Sequence, residues 1–179
     1  MVLNMLSTKN FWWTTVLTGL FTGLLVFTLY FLLLLLSHNI YSWIFVLVYI
    51  LPFIGMTYAT LRFKNRFNDG YISFNEAFIT AYFTGIVAAI IYALLIYFVY
   101  TQMNSNELKY RSLQIEQYLQ MQAGNLSLTE ISTLRKQINK LLSASYLSIY
   151  NLIFHSVLYV IYAVLIAIFV RRKNRFIEA

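Results

Sequence analysis

The sequence predicts an all-α integral membrane protein, a four-helix bundle with an extracytoplasmic helical hairpin between spans three and four. Two observations carry this expectation. Of 179 residues, 60% are hydrophobic, 18% aromatic and only 11% charged, which leaves too little polar surface to cover a water-soluble globule. The charges are also segregated: none occurs between Asn10 and Leu61, between Ala77 and Asn106, or between Leu141 and Val170. The lipid bilayer is therefore the expected solvent for these windows.

A span needs about 20 apolar residues, so the first window holds two, joined at its one polar cluster, Ser37-His38-Asn39. Spans are expected near 11–36, 41–61, 77–100 and 146–170, within a single membrane domain covering 1–179. Hydrocarbon requires every backbone amide to pair within its own segment or in a closed barrel. A barrel would alternate apolar and polar residues in short strands, and Phe31-Leu32-Leu33-Leu34-Leu35-Leu36 does not alternate. The first apolar run exceeds a signal-peptide core and lacks an Ala-x-Ala site after it, so it reads as a retained span.

Orientation follows from Lys and Arg, which stay on the cytoplasmic side. Lys9 precedes span one, Arg62, Lys64 and Arg66 follow span two, and Arg171, Arg172, Lys173 and Arg175 follow span four. All three clusters fall on one side, which predicts cytoplasmic N- and C-termini. The net charge of +7 is then a topology and anionic-lipid signal, and no nucleic-acid partner is expected.

Within the membrane, small residues form the most regular pattern. Ala77, Ala81, Gly85, Ala89 and Ala93 recur every fourth residue along span three, a smooth stripe where another helix can approach closely. Gly19 and Gly23, with Thr15, offer a similar face on span one, and the two faces are expected to meet. Pro52 with Gly55 predicts a bend in span two. Span four carries a polar line, Asn151, His155 and Tyr159. An intramembrane ionisable group is a functional candidate, and the competing reading of His155 is a neutral side chain that ties helices together.

Two polar segments remain. Between spans two and three, Asn68-Asp69-Gly70 predicts a turn with Gly70 at positive φ, and Ser73-Phe74-Asn75-Glu76 has the spacing of a capping box that starts the next helix. Glu76 is read as a cap, not as an acid catalyst. The outward segment, about 101–145, reads as a helical hairpin: an arm over 107–122, a break at Ala123-Gly124-Asn125, and a second arm opened by a capping box from Ser127 to Glu130. Its apolar face is Ile131, Leu134, Ile138 and Leu141. These arms either stand alone or continue spans three and four.

The run Gly70-Tyr71-Ile72-Ser73-Phe74, then Glu76-Ala77-Phe78, follows a basic Arg62-Phe63-Lys64-Asn65-Arg66-Phe67 stretch. This resembles the signature of the domain-of-unknown-function 4199 family, small four-span proteins of Bacteroidota. The likeness extends to the charged outward insertion before the last span, although members often carry two adjacent glycines where this chain has Asp69-Gly70. The resemblance implies a bacterial inner membrane and brings no activity with it.

Composition narrows the chemistry further. The chain has no cysteine, so disulfides, thiolate metal sites, a lipoprotein anchor and a cysteine nucleophile are excluded. A zinc site needs three or four ligands, and the two histidines are His38 and His155. No carboxylate lies within a span and no phosphate-cradling glycine loop occurs. No catalytic residue, metal site or cofactor is expected. What remains is a non-enzymatic inner-membrane accessory or scaffold subunit binding another membrane protein, lipids or further copies of itself. The alternative is a small oligomeric channel or transporter that uses His155, Asn151 and the Pro52 bend.

Overall fold

The computed structural model describes residues 9–36, 46–102, 112–118, 121 and 128–171. Five helices are numbered here in chain order: α1 (Lys9–Leu36), α2 (Val46–Phe67), α3 (Phe74–Gln102), α4 (Leu128–Leu141) and α5 (Ala144–Val170). Residues 112–118 add a short helical segment before α4. Four helices, α1, α2, α3 and α5, are long and apolar enough to cross a membrane. The chain is an all-α, multi-pass membrane protein.

Two compact units divide the described residues, one drawn from Met1–Tyr92 with Leu152–Ala179 and the other from Ala93–Asn151. In the first, the helices close into a ring whose neighbours can be read from single contacts. Gly55 of α2 lies against Thr22 of α1, and Gly19 of α1 against the Thr84 carbonyl of α3. Gly85 of α3 faces Tyr159 of α5, and Phe53 of α2 meets Tyr162 of α5 edge-on at 5.5 Å. The order around the ring is therefore α1, α2, α5, α3.

Four buried threonines inside this ring are satisfied by their own helices. Thr15, Thr60, Thr80 and Thr84 are fully buried, and each hydroxyl donates to the carbonyl four residues back, at 2.7–2.9 Å. In an apolar solvent an unpaired hydroxyl is costly, and this local bond removes the penalty without a partner helix.

One end of the ring is basic. Phe11 near the start of α1, Phe63 near the end of α2, Ala77 at the start of α3 and Val170 at the end of α5 share one core cluster. Lys9, Arg62, Lys64, Arg66 and Arg171 flank those residues in sequence and gather at that end. Lys64 Nζ donates to the Val170 carbonyl at 2.9 Å, placing a cation on the negative end of the α5 dipole.

Helix α2 runs to Phe67, six residues past the expected end of span two, because Arg62, Lys64 and Arg66 are good helix formers whose stems tolerate the apolar edge. It stops where both Asp69 (φ 49°) and Gly70 (φ 80°) turn left-handed. Gly70 N–H donates to the Lys64 carbonyl at 3.0 Å and Tyr71 N–H to Asn68 at 2.8 Å. The turn thus takes two left-handed residues where one was expected, and aspartate is among the few non-glycine residues that tolerate this. The helix continues through the buried Pro52.

The second unit holds α4 and the segment 112–118. The expected second arm is present as α4, while the expected break at Gly124 and the Ser127 cap lie outside the described residues. α4 does not simply continue into the last span. Leu142 and Ser143 interrupt the helix, and Ser143 starts α5 by accepting from Tyr146 N–H at 3.3 Å.

Candidate functional site

His155 is the polar residue that the ring encloses most completely with aromatic carbon. Only 2% of it is exposed. Its imidazole stacks on Tyr159 at 5.6 Å with an interplanar angle of 17° and receives Tyr92 edge-on at 5.0 Å. Tyr49 at 5.8 Å and Phe154 at 5.7 Å close the nest. The four-residue spacing from His155 to Tyr159 on α5 stacks the two rings, and Tyr49 and Tyr92 arrive from α2 and α3. Nδ1 is sealed and has no hydrogen-bond partner among the described residues.

Such a nest can hold a neutral imidazole by dispersion and ring quadrupoles. Among the described residues no three His, Asp or Glu side chains come together. The polar line of α5 divides chemically. His155 and Tyr159 belong to the first unit, whereas Asn151, in the second, donates its amide to the Leu147 carbonyl at 2.8 Å.

The small-residue stripe of α3 is buried, but it serves a different neighbour from the one expected. Ala77, Ala81 and Ala89 are fully buried, and a Cβ at Gly85 would come within 2.9 Å of Tyr159 and 3.1 Å of Met56. The stripe therefore accepts α5 and α2. Gly19 and Gly23 do meet α3, though along the adjacent face: Gly19 against Thr84 and Val87, Gly23 against Ala88 and Ile91. Thr84 and Ala88 each sit one residue before Gly85 and Ala89, about 100° around α3 from the stripe. In the second unit Ala93 ends the stripe, and its carbonyl accepts from Ser148 Oγ at 2.7 Å.

The capping box before α3 forms as expected. Glu76 Oε2 accepts from Ser73 N–H at 3.0 Å and from its hydroxyl at 2.9 Å, while Glu76 N–H donates to Ser73 Oγ at 3.3 Å. Glu76 is buried and committed to this cap. Glu130 opens α4, and its expected partner Ser127 lies outside the described residues.

Sequence reasoning missed two features. One is an apolar groove of about 460 Å³ between α1 and α2, with Arg62 at one end. The other is a half-covered hollow of about 340 Å³ in the second unit, bounded by Ile115 and Ile138 and by Leu141, Tyr146 and Leu147. The absence of side chain at Gly55, opposite Thr22, was the one hint of the first. The second needs the 112–118 segment to be placed, which α4 periodicity alone does not do.

With the bundle, the capping turn and the basic end in place, comparison with known families becomes decisive. The family described as "protein of unknown function (DUF4199)" matches residues 16–172. The chain belongs to this family. In this DUF4199 protein the matched region takes in α1 from Val16 onward, the other three spanning helices, the capping turn and α4. No curated protein and no solved structure matches it.

Proposed function

We propose that this DUF4199 protein is a non-enzymatic accessory or scaffold subunit of a bacterial inner membrane, with both termini cytoplasmic, that binds another membrane protein and lipids. The observation that carries this reading is the incomplete cover of the amphipathic second unit. No residue of α4 with a described side chain is buried: Ile131, Leu134 and Ile138 are half-buried and Leu141 is exposed. Before it, Leu113, Tyr118 and Met121 are exposed, Met121 by 82%. An apolar face left this open outside a spanning helix is the feature of a protein contact.

Mild-detergent purification from native membranes tests the reading. A stoichiometric second membrane protein, lost when Ile138 and Leu141 are both changed to Ser, supports it. A pure monomer from native membranes, unchanged by those substitutions, rejects it. Sidedness is checked by thiol labelling in the cysteine-free chain: Asn65→Cys should react only from the cytoplasmic face and Ser132→Cys only from the opposite one.

A second reading, an oligomeric channel or transporter, draws on the unpaired Nδ1 of His155. Flux through reconstituted vesicles that His155→Leu abolishes, with partners unchanged, would favour it over the scaffold.

A further inference from the structure

The groove between α1 and α2 combines an apolar trough with one cation. Leu17, Phe21 and Leu25 form one wall, Leu51 and Ile54 the other, and Gly55 sits between them without a side chain. Tyr58 and Arg62 line the end nearest the basic face of the bundle. From Leu51 to Arg62 the trough follows α2 for on the order of 16 Å at 1.5 Å per residue.

Arg62 differs from its basic neighbours. Lys64 is engaged by the Val170 carbonyl and Arg66 is exposed, but Arg62 Nε is buried with no hydrogen-bond partner among the described residues. Nor, among the described residues, does a carboxylate pair with it: Glu76, the buried acid of this end, is committed to Ser73. A buried Nε–H without an acceptor is costly, and the planar fork of the half-buried Arg62 side chain matches the oxygens of a phosphodiester.

We infer that this groove binds one acidic phospholipid, with an acyl chain along the α1–α2 trough and the headgroup phosphate on Arg62. The surrounding cations, Lys9, Lys64, Arg66 and Arg171, favour a lipid of net negative charge over a zwitterionic one. A second copy of the chain seated on the same face by a two-fold axis would bring another Arg62 towards this one, so charge favours the lipid. The inference rests on the lipid-binding part of the proposed function and specifies its class and place.

The test titrates lipid-stripped full-length protein in mild detergent with phosphatidylglycerol or phosphatidylcholine, counting bound molecules by native mass spectrometry. The wild type should retain one phosphatidylglycerol about ten-fold more tightly than phosphatidylcholine, the scale expected of a charge-assisted bond. Arg62→Gln should lose about ten-fold in phosphatidylglycerol affinity, Arg62→Lys less, and Leu51→Trp should also weaken binding by filling the trough. Lys136→Gln, an exposed cation of the second unit, should stay within about two-fold. Helical circular dichroism and elution volume establish that each variant is folded, and the graded Arg62→Lys result guards against a folding defect in the Gln variant.

Equal affinity of the wild type and Arg62→Gln for phosphatidylglycerol would overturn the assignment. So would equal retention of both lipids, or a dimer that Arg62→Gln and Leu51→Trp dissociate. Failure here leaves the partner test on Ile138 and Leu141 untouched, and failure there leaves this titration untouched, because the two use different units of the chain.

Discussion

The two units of the chain treat polar groups in opposite ways. In the first, threonine hydroxyls and the Glu76 carboxylate are buried and bonded within their own helix or cap. In the second, α4 keeps its polar side chains exposed, and its cross-segment ion pair, Arg135 to Glu116 at 3.5 Å, lies in solvent reach with both side chains about half exposed. The solvent explains the difference. Where lipid surrounds a helix, a polar group without an internal partner has no water to turn to, so bonds are local and shape selects the neighbours. Where water is available, polarity costs little and an amphipathic stripe does the sorting.

The contrast breaks most visibly at close helix contacts. In Gly23→Leu the new Cβ meets the Ala88 carbonyl oxygen at 2.8 Å and Ala88 Cα at 3.1 Å, backbone atoms that no rotamer change moves. The variant should lose about 3 kcal/mol or more of folding free energy in dodecyl-sulfate unfolding from mixed micelles. Ser132→Leu, on the exposed side of α4, should stay within about 0.5 kcal/mol. Similar losses at the two positions would mean that close packing is not what holds the first unit.

Caps provide the next test. Glu76→Ala removes the acceptor for two Ser73 donors at a buried helix start and should cost about 2 kcal/mol, with Glu76→Gln milder because an acceptor remains. Ser143→Ala deletes the exposed cap of α5 and should cost about 0.5 kcal/mol, near the low end for caps. A larger effect at Ser143 than at Glu76 would reverse the proposed ranking.

His155 sharpens the comparison with a change of sign. Phenylalanine retains a flat ring against Tyr159 and Tyr92 while deleting the unpartnered Nδ1. His155→Phe should therefore stabilise the bundle by about 1 kcal/mol in the same unfolding assay, since an unsatisfied buried polar atom carries a penalty of that order. A loss of stability would show that the ring nitrogen has a partner in the folded bilayer-embedded protein.

Much of this architecture was legible in the sequence because lipid imposes simple rules. The charge-free windows located α1, α3 and α5, and Ser73 to Glu76 announced both the cap and the start of α3. What was not legible depends on helix rotation. That Gly85 faces Tyr159 while Gly19 faces Thr84 depends on side chains of helices far along the chain, and four-residue spacing along α3 fits either neighbour. Arg62 shows a related limit: its place among Arg62, Lys64 and Arg66 marks the membrane edge, but only the α1–α2 contact tells which of the three turns its Nε inward. Likewise Asn151 and His155 share a register on α5, yet each is satisfied, or left unsatisfied, by surroundings that spacing does not specify.

The smallest effect is expected where both partners face water. A double-mutant cycle of Glu116→Ala and Arg135→Ala should give a coupling of about 0.5 kcal/mol or less, because exposed charges stay well hydrated and ordering two long side chains offsets their attraction. The coupling should vanish in about 1 M salt, where screening acts within a few ångströms. Lys64→Met, which removes a cation from a part-buried carbonyl at the end of α5, should cost about 1 kcal/mol and respond less to salt. If the exposed pair proved the stronger and more salt-resistant of the two, water would not be the medium around α4, and the division between lipid-solvated and water-solvated units would fail at its most accessible point.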